Sequence, residues 1–272
     1  MSQANSPLPT LMTPSTLVRG QVEDLTPLLT TREKMRPAIL QAIITIILGA
    51  GLYGFTVGLW RGLEMAFFVA IKTPLLLFIT LLTTGLLNGM LGLVLGTGIG
   101  FRQSLLCQLL AFSLASIFLA SLAPVTFFLA LEAPSSDSTV AAHTHAGYLL
   151  THTAIIGIGG LLAVTRLFGL LCELSPSLYS ARITLLSWIA SNAFVGAQIS
   201  FLLRPFFGSP TLPIEFLREH PFDGTFYESV WRSLAKVASP AGAIGILLII
   251  FYFMVLTFQK ILKQNTDKHL KK

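Results

Sequence analysis

The feature that most limits what this chain can become is a set of apolar stretches, each about 20 residues or longer and almost free of charge. That is the length a helix needs to cross roughly 30 Å of hydrocarbon. A backbone in lipid has no water to bond, so each stretch must close its own hydrogen bonds as a helix. At 53% hydrophobic and only 11% charged over 272 residues, the chain holds more apolar material than a soluble domain of this size buries. The expected fold is therefore all-α, one polytopic membrane domain of about six transmembrane helices.

The predicted spans are 38–59, 73–96, 104–131, 148–172, 183–204 and 240–259. A partly disordered tail, 1–37, precedes them, and a basic tail, 260–272, follows. The tail lacks a short apolar core near Met1, so the first span is expected to act as the insertion signal. Leu25, Leu28 and Leu29 suggest a short interfacial helix touching lipid. The segment 64–72 reads as interfacial or re-entrant before Pro74; if 63–74 crossed separately, the count would be seven. Pro124 should kink span three, with hydroxyls such as Ser121 taking up a freed carbonyl.

Twelve of the 18 Lys and Arg residues fall on one side of a six-span arrangement, which places both termini in the cytoplasm of a cell with the bundle in its inner (plasma) membrane. The same asymmetry accounts for the net charge of +6, so no nucleic-acid partner is expected. Cys107 and Cys172 lie inside spans without C-x-x-C spacing and read as apolar fillers.

Glycines recur at three- and four-residue spacing in span one (Gly51, Gly54, Gly58) and span two (Gly85, Gly89, Gly92), and Gly157, Gly159 and Gly160 lie in span four. Such rows let helices approach closely, and they are expected to pack the bundle around span five. The GTGIG sequence at 96–100 reads as a helix end and turn, since a phosphate loop needs a preceding strand.

Few polar groups lie within the apolar runs. Asn192 and Gln198 share the polar face of span five, and Arg204 follows it beside Phe206 and Phe207; with Lys72 they form a candidate polar or anion site. His143, His145 and His152 are the nearest approach to a metal-ligand cluster, as an H-x-H pair in an extended loop, but no good partner completes them and no metal or other cofactor is expected. After span five the chain carries Phe216, Phe222, Phe226, Tyr227 and Trp231, with residues 225–237 patterned as an amphipathic helix; these aromatics form a candidate partner-binding loop.

The run Phe194 to Pro210, FVGAQISFLLRPFFGSP, with PFDGTFYESVWRSL at 221–234, VAIKTPLLL at 69–77 and ASLAPV at 120–125, resembles a group of bacterial multi-pass membrane proteins labelled YIP1-like or actin-binding WH2 domain-containing. The likeness covers most of the chain beyond about residue 60. It implies a multi-pass bundle and supplies no activity or site residue. No nucleophile and base, and no carboxylate pair, occur at usable spacing. The expected role is non-enzymatic: a scaffold, assembly factor or accessory subunit contacting membrane lipids and either a protein partner or a second copy of itself. The alternative is a small-solute or lipid transporter using the polar face of span five.

Overall fold

The computed structural model describes residues 22–209 and 212–237, together with the single positions 245, 252 and 256. Apart from those three positions, the span expected at 240–259 lies outside the described residues, as do residues 1–21 and the tail at 260–272. The described chain is all-helical: α1 (Val22–Thr30), α2 (Arg32–Gly58) with a 3-10 turn (Leu59–Arg61), α3 (Leu63–Val94), α4 (Phe101–Ser121), α5 (Ala123–Glu132), α6 (Ala141–Leu174), α7 (Leu178–Leu202) and α8 (Phe226–Val237). Among the described residues five segments are long and apolar enough to cross a membrane: Arg32–Arg61, α3, α4, most of α6, and α7.

Local chemistry sets the helix ends. Gly96 and Gly98 have φ of +75° and +71°, and the end of α3 is a Schellman turn, with Gly96 N–H on the Leu93 carbonyl and Thr97 N–H on Gly92. The GTGIG sequence is thus a helix end and turn, as its composition suggests. Ser177 caps α7 by accepting from the Ser180 N–H at 3.1 Å, and Thr225 caps α8 by accepting from Glu228 N–H at 3.1 Å.

Two prolines give opposite outcomes. Residues 63–74 form no separate interfacial segment: α3 runs unbroken through Pro74 as one 32-residue helix. The turn before Pro74 is held against α2, and Thr73 Oγ1 takes the Val69 carbonyl at 2.8 Å. Span three, in contrast, is two helices. Leu122 N–H turns back to the Leu119 carbonyl, Ser121 Oγ donates to Phe118, and Pro124 falls in the first turn of α5, where its missing N–H costs nothing.

Three further expectations are corrected. Leu25 and Leu29 of α1 are fully buried in the largest apolar cluster, with Leu106, Leu110, Phe168, Leu171, Leu185 and Trp188, and Leu28 is half-buried against it, so these leucines dock α1 on protein. Gly157 and Gly160 of α6 meet nothing within 4 Å among the described residues; only Gly159 packs, against Phe118. The organising helix is α2, which packs against α3, α4 and α5. Among the described residues α7 lies at the edge, touching chiefly α3 and α6, and its buried positions (Ser180, Ala181, Thr184, Leu185 and Trp188) are all in its first half.

The glycine face of α2 is where that organisation is made. A Cβ on Gly58 would lie 2.5 Å from the Met65 carbonyl oxygen and 2.7 Å from Ala66 Cα, and one on Gly49 would lie 2.7 Å from the Ser116 carbonyl oxygen. The obstructing atoms are backbone, so the helices must separate to admit a methyl group. Gly58→Ala should therefore lower stability by about 1–3 kcal/mol, the usual cost of overpacking. Gly157→Ala, with open space beside it, should not lower it. Thermal denaturation of the two variants in one mild detergent checks the contrast.

Candidate functional site

The buried polar groups form two layers. The first joins α3, α4 and α7 through amides. Asn88 Nδ2 donates to Gln108 Oε1 at 2.7 Å and to Asn192 Oδ1 at 3.2 Å, and Asn192 Nδ2 donates to the same Gln108 oxygen at 3.2 Å. Ser191 donates to Asn88 Oδ1 at 2.5 Å and Thr84 to Asn192 Oδ1 at 2.6 Å. Gln108 turns its own Nε2 back to Ser104, and the Trp188 indole N–H closes on the Asn88 carbonyl at 2.7 Å, in room left by Gly92. Amides suit this closure because each carries both donors and an acceptor.

Asn192 was legible from sequence as part of this layer. Asn88 and Gln108 were missed, although each is an isolated amide in an apolar run, LLNGML and LLCQLL, and that isolation is the signal. Gln198 does not join them. Its Oε1 accepts the Phe226 N–H at 3.1 Å and so holds the first turn of α8.

The second layer lies at the end of the bundle that carries the loop after α7. Lys72 is fully buried, donates from Nζ to the Pro205 carbonyl at 2.8 Å and lies 5.9 and 5.0 Å from the ring centres of Phe206 and Phe216. Arg204 donates to the Phe201 carbonyl at 2.7 Å and stacks on the Phe201 ring at 3.5 Å. Desolvation, then the nearby Arg218, lowers its pKa, while Asp223 acts in the opposite sense; the guanidinium stays charged. Arg204, Gln198, Asn192 and Lys72 are thus not gathered into one anion site: each is bound separately to a backbone group or an amide.

Beside Lys72 runs an aromatic column. Tyr53 and His152 share a hydrogen bond of 2.7 Å at Nδ1, and Tyr148 donates to the Thr56 carbonyl at 3.0 Å. Thr56 and Thr126 hydroxyls meet at 2.6 Å, and the Trp60 indole donates to the Pro134 carbonyl at 2.9 Å. The expected H-x-H pair is not in an extended loop. His143 and His145 lie on helix α6, where side chains two apart diverge. His145 instead packs near Trp60, and no group of three potential metal ligands occurs among the described residues.

The loop aromatics divide. Phe216 is packed edge-on to Phe68 and Phe226 is half-buried, so neither is a free outward face. Tyr227 stacks on Phe194 and its hydroxyl donates to the Phe194 carbonyl, which fixes α8 to α7. Phe222, at 81% exposure, and Trp231, at 42%, remain outward. A cleft of about 430 Å³ opens in the loop between Pro205, Pro213, Glu215, Arg218, Glu219 and His220, and neither Asn192 nor Gln198 lines it.

Removing the hub of the amide layer should be felt beyond its own helix. Asn88→Leu is expected to cost about 1–2 kcal/mol, against about 0.5 kcal/mol or less for Ser187→Ala, whose hydroxyl bonds only its own helix. A double-mutant cycle of Asn88→Leu and Asn192→Leu, read by unfolding in detergent, should show positive coupling between α3 and α7. Compared with known proteins, the chain matches no family model, no curated protein and no solved structure.

Proposed function

We propose that the protein is a non-enzymatic scaffold, assembly factor or accessory subunit of a membrane complex, held with both termini on the cytoplasmic side of a bacterial inner membrane. One observation carries the reading: the amides joining α3, α4 and α7 bond to one another, and Lys72, Trp60 and Tyr148 bond to backbone carbonyls, while the loop turns Phe222 and Trp231 outward. A solute path along α7 needs polar groups left open to the solute, and both Asn192 and Gln198 are engaged. Exposed aromatics next to an amphipathic helix are what a partner surface uses for contact area at low entropy cost. The resemblance to the YIP1-like group belongs to the same proposal and adds no activity to it.

Site-specific photocrosslinking in native membranes tests this reading. A crosslinker at Phe222 or Trp231 should give one protein adduct of defined mass, and a crosslinker at Leu82, which is 82% exposed on the flank of α3, should give none. Adducts with lipid alone at all three positions would remove the partner surface and the proposal with it.

A further inference from the structure

His152 is fully buried, and its Nε2 has no hydrogen-bond partner. Its other nitrogen, Nδ1, shares the 2.7 Å bond with the Tyr53 hydroxyl. The proton inventory decides how that bond is filled. If Tyr53 donates to a bare Nδ1, the hydroxyl is satisfied and one N–H, at Nε2, is left unmet. With Nδ1 protonated instead, Nε2 lacks a donor and the Tyr53 O–H loses its acceptor. The neutral ring with hydrogen on Nε2 leaves fewer groups unmet and is the form that fits.

The ring is enclosed by aromatics: Tyr148 at 4.3 Å, Tyr53 at 5.6 Å and Phe207 at 5.8 Å between ring centres. Phe207 is the member that belongs to the loop after α7. On either side of it the loop is tied by backbone carbonyls, Pro205 to Lys72 at 2.8 Å and Leu212 to Arg61 at 3.1 Å, and the Arg61 side chain packs on Gly208.

We propose that His152 is a proton-binding site, and that loading it displaces Phe207 and opens this loop. The added proton goes to Nδ1, the atom that accepts from Tyr53. The new Nδ1–H then donates to the Tyr53 oxygen across 2.7 Å, the tyrosine hydroxyl hydrogen turns away and loses its acceptor, and the ring carries a buried positive charge with its Nε2–H still unmet. Among the described residues the titratable groups in contact with the ring are Tyr53 from α2 and Tyr148 on α6 itself. The charged groups that hold the loop on either side of Phe207 are Arg61, against Gly208, and Lys72, beneath Pro205; both are cations, so neither can pair with an imidazolium. The neighbouring parts of α4 and α5 contribute Phe118, Leu119 and Thr126, none of which titrates. Hydration through the Phe207 side is the relief the fold allows, because Phe207 is carried by a loop and the other enclosing rings by helices.

The test uses the full chain in lipid nanodiscs, with Cys107→Ala and Cys172→Ala, and with His143, His145, His220 and His269 replaced by Gln so that His152 is the sole imidazole. Spin labels at Glu132→Cys and Leu212→Cys report the distance from the end of α5 to the loop. One distance is expected at about pH 7.5 and a second, longer one at about pH 3.5, well below the ordinary imidazole value of about 6.5. The longer distance should be absent when His152→Gln is added. An unchanged distance at both pH values, or an acid response that survives His152→Gln, overturns the proposal. Should His152→Gln fail to fold, 15N-histidine NMR of the single-histidine chain decides: a bare Nδ1 at neutral pH, protonating in step with the distance change, supports it, and a neutral ring protonated on Nδ1 overturns it.

Discussion

Close backbone approach between α2 and its neighbours is the contact on which the rest of the structure depends. In hydrocarbon an apolar side chain gains little by exchanging lipid for protein, so helices hold together through short contacts and hydrogen bonds. Gly54 and Gly58 bring α2 onto the backbone of Met65, Ala66 and Val69, and Gly49 brings it onto Ser116 of α4. Ser113 adds a hydroxyl to the Ala42 carbonyl at 3.1 Å. With α2 gripped from two sides, Tyr53 and Thr56 are carried to α6 and α5, and Lys72, one turn beyond Val69, is carried beneath the loop.

The two polar layers solve the same problem with different chemistry. Between α3, α4 and α7 the solution is reciprocal, amide to amide, because Asn88, Gln108 and Asn192 each both donate and accept. At the loop end the side chains available are Lys72, Arg61, Arg204, Trp60, Tyr148 and Tyr227, used here as donors, and each ends on a main-chain carbonyl: Pro205, Leu212, Phe201, Pro134, Thr56 and Phe194. A loop rich in proline suits such partners, since proline removes N–H groups and leaves the carbonyls in place. Within the loop after α7 the two carbonyls so used are Pro205 and Leu212, taken by Lys72 and Arg61.

What could be read from the chain alone follows the same division. Span existence rests on run length, which is local, and α2, α3, α4, α6 and α7 are all legible with ends within about ten residues: α3 begins at Leu63 where the expected span begins at 73, and α4 ends at Ser121 where the expected span runs on to 131. Pro74 and Pro124 were not separable. Both sit in apolar runs, and whether the helix continues depends on what the preceding turn packs against, which is tertiary information. From sequence Leu25 and Leu29 are indistinguishable from lipid-facing residues, because an apolar core and an acyl chain select the same side chains. Gly157 and Gly160 show the converse error: their spacing matches that of Gly54 and Gly58 in kind, yet no helix among those described lies against them. At the site, Asn192 stood out, but its partners Asn88 and Gln108 lie 104 and 84 residues away, and pairing across such separations is set by the α2 contact and not by any local pattern.

The loop is pinned by three different helical segments. Lys72 of α3 holds Pro205, Arg61 after α2 holds Leu212, and Gln198 of α7 holds the start of α8 at Phe226. Pins on separate helices make the loop a reporter of their relative positions: sliding α3 against α2 strains the first two, and tilting α7 strains the third. Phe207 lies between the first two pins and contacts His152 of α6, a fourth element. A change at the buried imidazole that displaced Phe207 would reach Phe222 and Trp231 along this segment, whose other attachments are the carbonyl bonds from Lys72 and Arg61, the ring contacts of Phe206 and Phe216, and the bond of Gln198 to Phe226. The tightly packed α2 and α3 backbones do not have to move for it to do so.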